Sequence, residues 1–187
     1  MGEDLGTVPP IVRRLMDAHG LGRMYVLQFS VGEDAWAPIM EPQQGVVASL
    51  NTHDTPTFTA FWHGLDIDDR VAMGLFTEAE GHDLHAQRGR IRQAIVSYFR
   101  RQGEIGEGEE LPQVFAACLR SIARSRAAVI LVNLEDLWGE RLPQNTPGTH
   151  RERPNWRRRA AVSLESIIGN DAYAAMLREV DRLRRAR

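Results

Sequence analysis

The sequence contains no lysine and only one cysteine, and both shortages limit what the chain can be. All 23 basic residues are arginines, and they stand against 25 acidic residues, so the formal net charge is −2. A balanced charge gives no reason to expect nucleic acid or an anionic membrane as a partner. Because Cys118 stands alone, it cannot form an intrachain disulfide. We therefore expect a reducing, cytoplasmic setting.

Long apolar runs are also missing. No stretch approaches the roughly 20 apolar residues that a membrane span needs. A signal peptide begins with a positively charged segment and continues with an apolar one, whereas residues 1–4 are acidic and no apolar core follows them. We therefore expect no membrane partner. Hydrophobic residues make up 43% and charged residues 26% of the chain, a composition typical of globular proteins. A length of 187 residues fits one domain or a piece of a larger one.

Three short apolar runs predict buried strands at residues 24–29, 45–50 and 127–134. The last run is rich in β-branched residues and almost continuously apolar, which is typical of a strand covered on both faces in a parallel sheet.

Helical spacing of apolar residues recurs between and after these runs, at residues 91–99, 111–122 and 173–183. Thr7 is a candidate cap for an earlier helix that stops near Gly20. The alternation of strands and helices predicts βαβ units and an α/β fold.

Candidate chemical groups follow the predicted strands, where parallel α/β barrels carry their reactive residues. They are Glu3 and Asp4 ahead of the first helix, residues 52–54, and Asn133, Glu135 and Asp136. The long segment 141–156 is rich in Pro, Asn and Gly, and loops of this length tend to be functional.

Other interpretations of these residues remain open. Acidic residues such as Asp54 are common at helix N-termini, and a histidine such as His53 is more often structural than catalytic. Cys118 lies in an apolar helical pattern that favours a buried thiol over a nucleophile. His82 and His85 lack further ligands for a metal. The sequence has no nucleophile elbow, Walker loop or dinucleotide fingerprint.

Several short motifs occur in one order along residues 3–159 and together resemble a known family. They are EDLG at 3–6, MYVLQF at 24–29, THDTPT at 52–57, LEDLWG at 134–139, NTPGT at 145–149 and PNWRRR at 154–159. In this order and spacing they resemble glycoside hydrolase family 77, the 4-α-glucanotransferases or amylomaltases. The resemblance implies a TIM (β/α)8 barrel that acts on α-1,4-glucans and maltooligosaccharides without a metal or cofactor.

The resemblance also implies roles for single residues. Glu3 would be the general acid/base, and Asp54 would stabilise the transition state. His53 would bind the same sugar ring in the donor subsite, and Asn145 would line the sugar site. Trp156 would stack on a glucose ring, although a buried packing role is equally compatible with its sequence position.

The family is a retaining one, which needs a carboxylate nucleophile about 5 to 5.5 Å from the acid/base. The family's nucleophile is an aspartate upstream of EDLG, and we find no counterpart for it in this sequence. We therefore expect residues 1–187 to be the C-terminal part of a single, incomplete barrel that requires a separate N-terminal half. We also expect that the chain alone does not disproportionate maltotriose. A related α-glucan hydrolase and a non-catalytic fragment or subunit remain alternatives.

Overall fold

The computed structural model describes residues 2–108, 110–151 and 153–186. Within these ranges the elements follow in the order α1 (Pro10–Ala18), β1 (Met24–Val26), a 3-10 helix (Leu27–Phe29), β2 (Val47–Ser49), α2 (Phe58–His63), α3 (Leu65–Ala72), α4 (Glu78–Arg101), α5 (Leu111–Ala123), β3 (Val129–Leu131), α6 (Leu134–Leu137), α7 (Leu164–Ile168) and α8 (Asp171–Arg185).

The three strands form one parallel sheet in the order β1-β2-β3. Val47 of β2 lies opposite Met24 of β1 and Val129 of β3, so all three strands start at the same level. The predicted α/β class and parallel strands are confirmed. In the described residues β1 and β3 each pair with β2 alone, so the sheet is open and does not close into a barrel.

The strands are shorter than predicted, with three residues each. The first predicted run leaves the strand at Leu27, because the Ser30 N–H donates to the Leu27 carbonyl and closes a 3-10 turn (2.8 Å). The third run was predicted to be covered on both faces, and this was wrong: Val129 and Leu131 are each 46% exposed. Because side chains alternate along a strand, Val129 and Leu131 point to the same face of the sheet, and the described residues leave that face of β3 uncovered.

The predicted helices at 91–99, 111–122 and 173–183 are confirmed and lie within α4, α5 and α8. Helix α4 begins earlier than its apolar pattern, because Thr77 and Glu80 form a reciprocal capping box before its polar first turns. Thr7 was wrongly predicted as a cap. Pro9 occupies the N-cap position of α1, and no side chain caps this helix.

The core lies between the sheet and helices α2, α4 and α5. Trp62 and Phe58 stack at 6.0 Å between ring centroids, and Phe58 meets Phe115 of α5 at 5.3 Å. Cys118 is fully buried beside them, and burial raises the pKa of its thiol to about 12. A thiol in this environment behaves as a small apolar group, as the sequence pattern indicated.

Helix α2 ends at Gly64, which adopts a left-handed conformation with φ of 74°. A Cβ atom at Gly64 would lie 2.5 Å from the His85 ring of α4, so glycine allows both the turn and the close packing. The same His85 bonds to Asp68 of α3 (2.7 Å between Nε2 and Oδ1). His85 of α4 thereby contacts both the end of α2 and helix α3. None of the helices in the described ranges is both long and apolar enough to cross a membrane.

Candidate active site

The turn after β2 presents two of the predicted site residues. Thr55 closes this turn, since its hydroxyl accepts from the Thr52 N–H (2.8 Å) and donates to the Thr52 carbonyl oxygen (3.1 Å). The Asp54 N–H donates to the Thr52 hydroxyl (3.2 Å). The His53 and Asp54 side chains are 67% and 43% exposed. The turn is therefore internally braced while its two polar side chains face solvent.

A buried carboxylate holds the base of this turn. Asp136, in the short helix α6 that follows β3, accepts hydrogen bonds from the Asn51 side-chain amide (2.8 Å) and from the Phe58 N–H (2.7 Å). The pKa of Asp136 is raised to about 6, because burial, helped by the charge of neighbouring Glu135, outweighs the two hydrogen bonds, which lower it. The Asp136 side chain thus connects the segment after β3 to the end of β2 and to the start of α2.

Two more contacts reinforce this junction. The Thr57 hydroxyl accepts from the Ala60 N–H, which caps α2, and donates to the Glu140 carbonyl oxygen (2.6 Å). The Asn133 amide donates to the Asn51 carbonyl oxygen (3.1 Å). Both strand ends and the turn between them are therefore one hydrogen-bonded unit.

Segment 141–156 begins from a fixed point on this unit. The buried carboxylate of Glu140 accepts hydrogen bonds from the Arg141 N–H (2.9 Å), the Leu142 N–H (3.2 Å) and the Arg158 guanidinium (3.2 Å). Because the neighbouring carbonyl of Glu140 also accepts from Thr57, the segment starts directly beside the turn.

The far end of the segment folds back on its beginning. The Asn155 side chain accepts from the Thr146 N–H (3.0 Å) and donates to the Thr149 hydroxyl (3.2 Å). The Trp156 N–H donates to the Gln144 carbonyl (2.9 Å), and Trp156 has a positive φ of 59°. Such a conformation is uncommon for a bulky residue and occurs where surrounding contacts enforce it. The closed loop carries Asn145 and Trp156 toward the turn.

Four predicted site residues meet where the turn and the segment face each other. The Asn145 amide donates to Oδ1 of Asp54 (2.6 Å), and Nε2 of His53 lies 3.5 Å from Oδ2 of the same carboxylate. The rings of His53 and Trp156 are 5.5 Å apart between centroids and tilted by 49°. Trp156 is 61% exposed, so the buried packing role considered for it is wrong. We call these four residues the Asp54 cluster.

The larger of two hollows at the Asp54 cluster has a volume of about 320 Å³. Asp54 and Asn145 line it together with Arg153 and Asp69, which form an ion pair at 3.0 Å. This volume lies at the lower end of the range of small-molecule sites, about 300–1,000 Å³.

The smaller hollow has a volume of about 90 Å³. His53 and Trp156 line it with Glu135, whereas Thr55 and Leu142 line both hollows. The two hollows therefore adjoin at the turn, and Asp54 lines the larger one while His53 lines the smaller one.

Glu3 is not brought to the Asp54 cluster. It is exposed, and it lines neither hollow. The next residue, Asp4, accepts from the Met24 N–H (3.0 Å) and from the Arg23 guanidinium (2.9 Å). These bonds hold the segment at the amino-terminal end of β1, whereas Asp54 follows the carboxyl end of β2. Glu3 and Asp54 therefore do not line a common hollow, as a joint role on one sugar ring would require, and the acid/base role of Glu3 stays a prediction.

Asp136 was among the candidate groups predicted from the sequence, but Asn51 and its hydrogen bond to Asp136 were not predicted. A signal was present, because polar residues that end neighbouring parallel strands meet at the same edge of a sheet. His82 and His85, by contrast, take part in no group of three or more potential metal ligands within the described residues.

Comparison with known proteins gives consistent matches. The family model described as 4-alpha-glucanotransferase matches residues 1–164. The 4-alpha-glucanotransferase of Haemophilus influenzae is 28% identical over 189 residues, and that of Mycobacterium bovis is 31% identical over 193 residues. These alignments cover 97% and 100% of this chain but only 27% and 26% of the two relatives. The chain thus spans about a quarter of the length of these relatives.

Two solved structures share the fold. Amylomaltase from Corynebacterium glutamicum aligns with a TM-score of 0.74 and 23% identity, covering 98% of this chain and 28% of that one. Amylomaltase from Streptococcus agalactiae, solved in complex with acarbose, aligns with a TM-score of 0.65 and 16% identity, covering 97% and 31% of the two chains.

Proposed function

The chain belongs to the 4-alpha-glucanotransferase family, and we propose that its Asp54 cluster holds the reacting glucose ring during transfer of an α-1,4-glucan segment to an acceptor sugar. The observation that carries this proposal is the meeting of a carboxylate, an amide, an imidazole and an exposed indole at one strand end. Carboxylate and amide groups bind sugar hydroxyls, and an indole ring packs against the apolar face of a sugar.

Asp54 would act through its charge. Cleavage of a glycosidic bond passes through a transition state resembling an oxocarbenium ion, and hydrogen bonds to sugar hydroxyls strengthen as that state forms. A fixed carboxylate stabilises such charge without reorganising during the reaction. Asn145 supports this role, because its 2.6 Å hydrogen bond to Oδ1 restrains the carboxylate and leaves Oδ2 toward His53.

His53 and Trp156 would orient the ring. The imidazole can donate or accept a hydrogen bond with a sugar hydroxyl, since its tautomer is set by its partners. The exposed Trp156 ring lies 5.5 Å from it and provides an apolar platform. Together they would fix the plane of the sugar relative to Asp54.

The remaining catalytic groups are proposed on the resemblance alone. Glu3 would protonate the leaving oxygen and later deprotonate the acceptor hydroxyl, while a second carboxylate would form the covalent intermediate. We propose that this nucleophile is supplied by polypeptide other than the described residues.

The same additional polypeptide would complete a TIM barrel. In the described residues β1 and β3 each have one unpaired edge, and β3 exposes Val129 and Leu131. Unpaired edges with apolar side chains favour pairing with further strands. Pairing beside β1 would also provide a route for Glu3 to reach the carboxyl ends of the strands, where barrel enzymes carry their chemistry.

Titration calorimetry with acarbose tests the binding part of this proposal. Asp54→Asn removes a charged hydrogen-bond acceptor, which is worth about 1.5–3 kcal/mol, so we expect affinity to fall about tenfold to a hundredfold. Asp83→Asn is the matched control, since Asp83 lies on α4 with a side chain 89% exposed. Equal affinity of both variants and the wild type would refute the role of Asp54.

Product analysis with maltotriose tests the reaction. We expect no conversion by the chain alone, and glucose release that is abolished by Glu3→Gln would overturn that expectation. Once additional strands are supplied by a co-expressed polypeptide, longer maltooligosaccharides would support transfer. Glucose and maltose alone would identify a hydrolase instead.

A further inference from the structure

A third hollow, remote from the Asp54 cluster, lies on the helical flank of the molecule and has a volume of about 410 Å³. Its walls are a loop that follows β1 and the carboxyl ends of α4 and α5. It shares no lining residue with either hollow beside Asp54. We call it the Trp36 hollow, after the most exposed large hydrophobic residue of the chain's described part (77%).

The loop that carries Trp36 is held in place at several points. Val31 and Ile39 form an antiparallel bridge, and the Tyr25 hydroxyl donates to the Met40 carbonyl (2.7 Å). Glu33 forms a two-bond ion pair with Arg90 of α4 (2.7 and 3.2 Å). Ligand binding to an indole on such a loop loses little conformational entropy, because the backbone of the loop is already ordered.

The Trp36 ring itself is also oriented. The Arg101 guanidinium lies 4.4 Å from its centroid and donates to the Ala35 carbonyl. The backbone N–H of Trp36 donates to Oδ1 of Asp34 (2.8 Å), which holds the backbone beside the ring. The Arg101 guanidinium can cover only one face of the indole ring. Because Trp36 is 77% exposed, the rest of its ring surface is available to a ligand.

Polar groups on the loop and on the ends of both helices have unused hydrogen-bonding capacity. The Gln102 amide, the Ser121 hydroxyl, the Tyr98 hydroxyl and the Glu41 carboxylate all line the hollow. None of these four makes a side-chain hydrogen bond to any described residue. They offer both donors and acceptors beside an aromatic surface.

Most of the charge at this hollow is already paired. Glu104 is bound by Arg120 (2.6 Å) and by Arg124, so these opposite charges largely neutralise each other. Glu41 is a further lining carboxylate, and a carboxylate can accept hydrogen bonds from hydroxyl groups. A ligand that uses an aromatic face, several neutral hydrogen bonds and one carboxylate acceptor is a polyhydroxylated ring with an apolar C–H face.

We propose that the Trp36 hollow is a second binding site for a glucose unit of an α-glucan, separate from the Asp54 cluster. The identity of the sugar rests on the proposed function, whereas the chemistry of the site rests on its own residues. A polymer held at two places dissociates more slowly than one held at a single place, because rebinding of the second contact is intramolecular. The site would keep a long glucan on the protein between reactions.

The indole N–H signals of the four tryptophans provide the test, through ¹H–¹⁵N NMR spectra of the full chain titrated with maltoheptaose. Trp36→Ala and Trp156→Ala assign the two signals of interest. We expect saturable shifts of the Trp36 signal that persist in Trp156→Ala, and the proposed function predicts shifts of the Trp156 signal that persist in Trp36→Ala. The two proposals can therefore fail separately.

An unmoved Trp36 signal at 10 mM maltoheptaose (about tenfold above a 1 mM Kd) would overturn the second site, whatever the Trp156 signal does. A shift of equal size with the same mass of sorbitol would also overturn it, since sorbitol lacks a ring. Gln102→Ala, which removes a polar wall group on an exposed helix end, is expected to weaken the Trp36 response while leaving the Trp156 response unchanged.

Discussion

Asp136 allows a quantitative prediction, because its buried carboxylate supports the turn that carries Asp54. Burial raises the pKa of this group from 3.8 to about 6. Between those values the folded chain keeps a proton that the unfolded chain has lost, so the free energy of unfolding falls as pH rises through this window. At 1.36 kcal/mol per pKa unit the whole effect is about 3 kcal/mol, of which roughly 2.4 kcal/mol is lost between pH 4 and pH 7.

Asp136→Asn removes this titration and keeps the shape of the side chain. Its single amide oxygen can accept from the Phe58 N–H but not also from the Asn51 amide. One buried donor is then unsatisfied, at a cost of about 1–3 kcal/mol. We expect the wild type to be more stable than the variant at pH 4, and this advantage to fall by roughly 2.4 kcal/mol by pH 7.

Urea unfolding followed by tryptophan fluorescence at pH 4, 5, 6 and 7 measures this difference. Asp83→Asn, at an exposed position, is the control and is expected to follow the wild type at each pH. The reasoning would be refuted if the difference between wild type and Asp136→Asn stayed constant, or if it grew as pH rose.

Two further predictions concern groups away from the Asp54 cluster. Burial would raise the pKa of Glu104, but hydrogen bonds and charges from Arg124 and Arg120 hold it below its ordinary value, so its stabilising effect is present at neutral pH and lost as pH falls. Glu104→Gln is therefore expected to cost about 1–3 kcal/mol in urea unfolding at pH 7 and less at pH 3, and an equal cost at both pH values would contradict this. Cys118 is expected to resist a thiol reagent in the folded chain, because it is buried and its pKa is raised to about 12. Labelling of the folded chain as fast as in urea would show that the thiol is accessible.

The sequence predicted the elements that depend on repeating local patterns. Apolar periodicity identified the carboxyl-terminal part of α4 and most of α5 and α8, and the alternation of elements predicted the parallel sheet. Strand lengths and the exposure of Val129 could not be predicted in this way. They depend on which strands pair, and pairing is a property of the whole fold.

The site was partly predictable for a similar reason. His53 and Asp54 follow a strand, so a position at the sheet edge could be inferred from local pattern alone. The contact between Asp54 and Asn145 joins residues 91 positions apart and depends on how Glu140 and Asn155 shape the intervening loop. Glu3 shows the limit of motif matching, since its motif predicts a role but not its location relative to Asp54.

The central claim is that a glucose ring binds against Asp54, His53 and Trp156. A crystal structure of the chain with acarbose tests this most directly. We predict sugar hydroxyls within about 3 Å of the Asp54 carboxylate, with a ring packed on Trp156. Acarbose bound elsewhere, with the Asp54 carboxylate contacting only water and Asn145, would contradict the account.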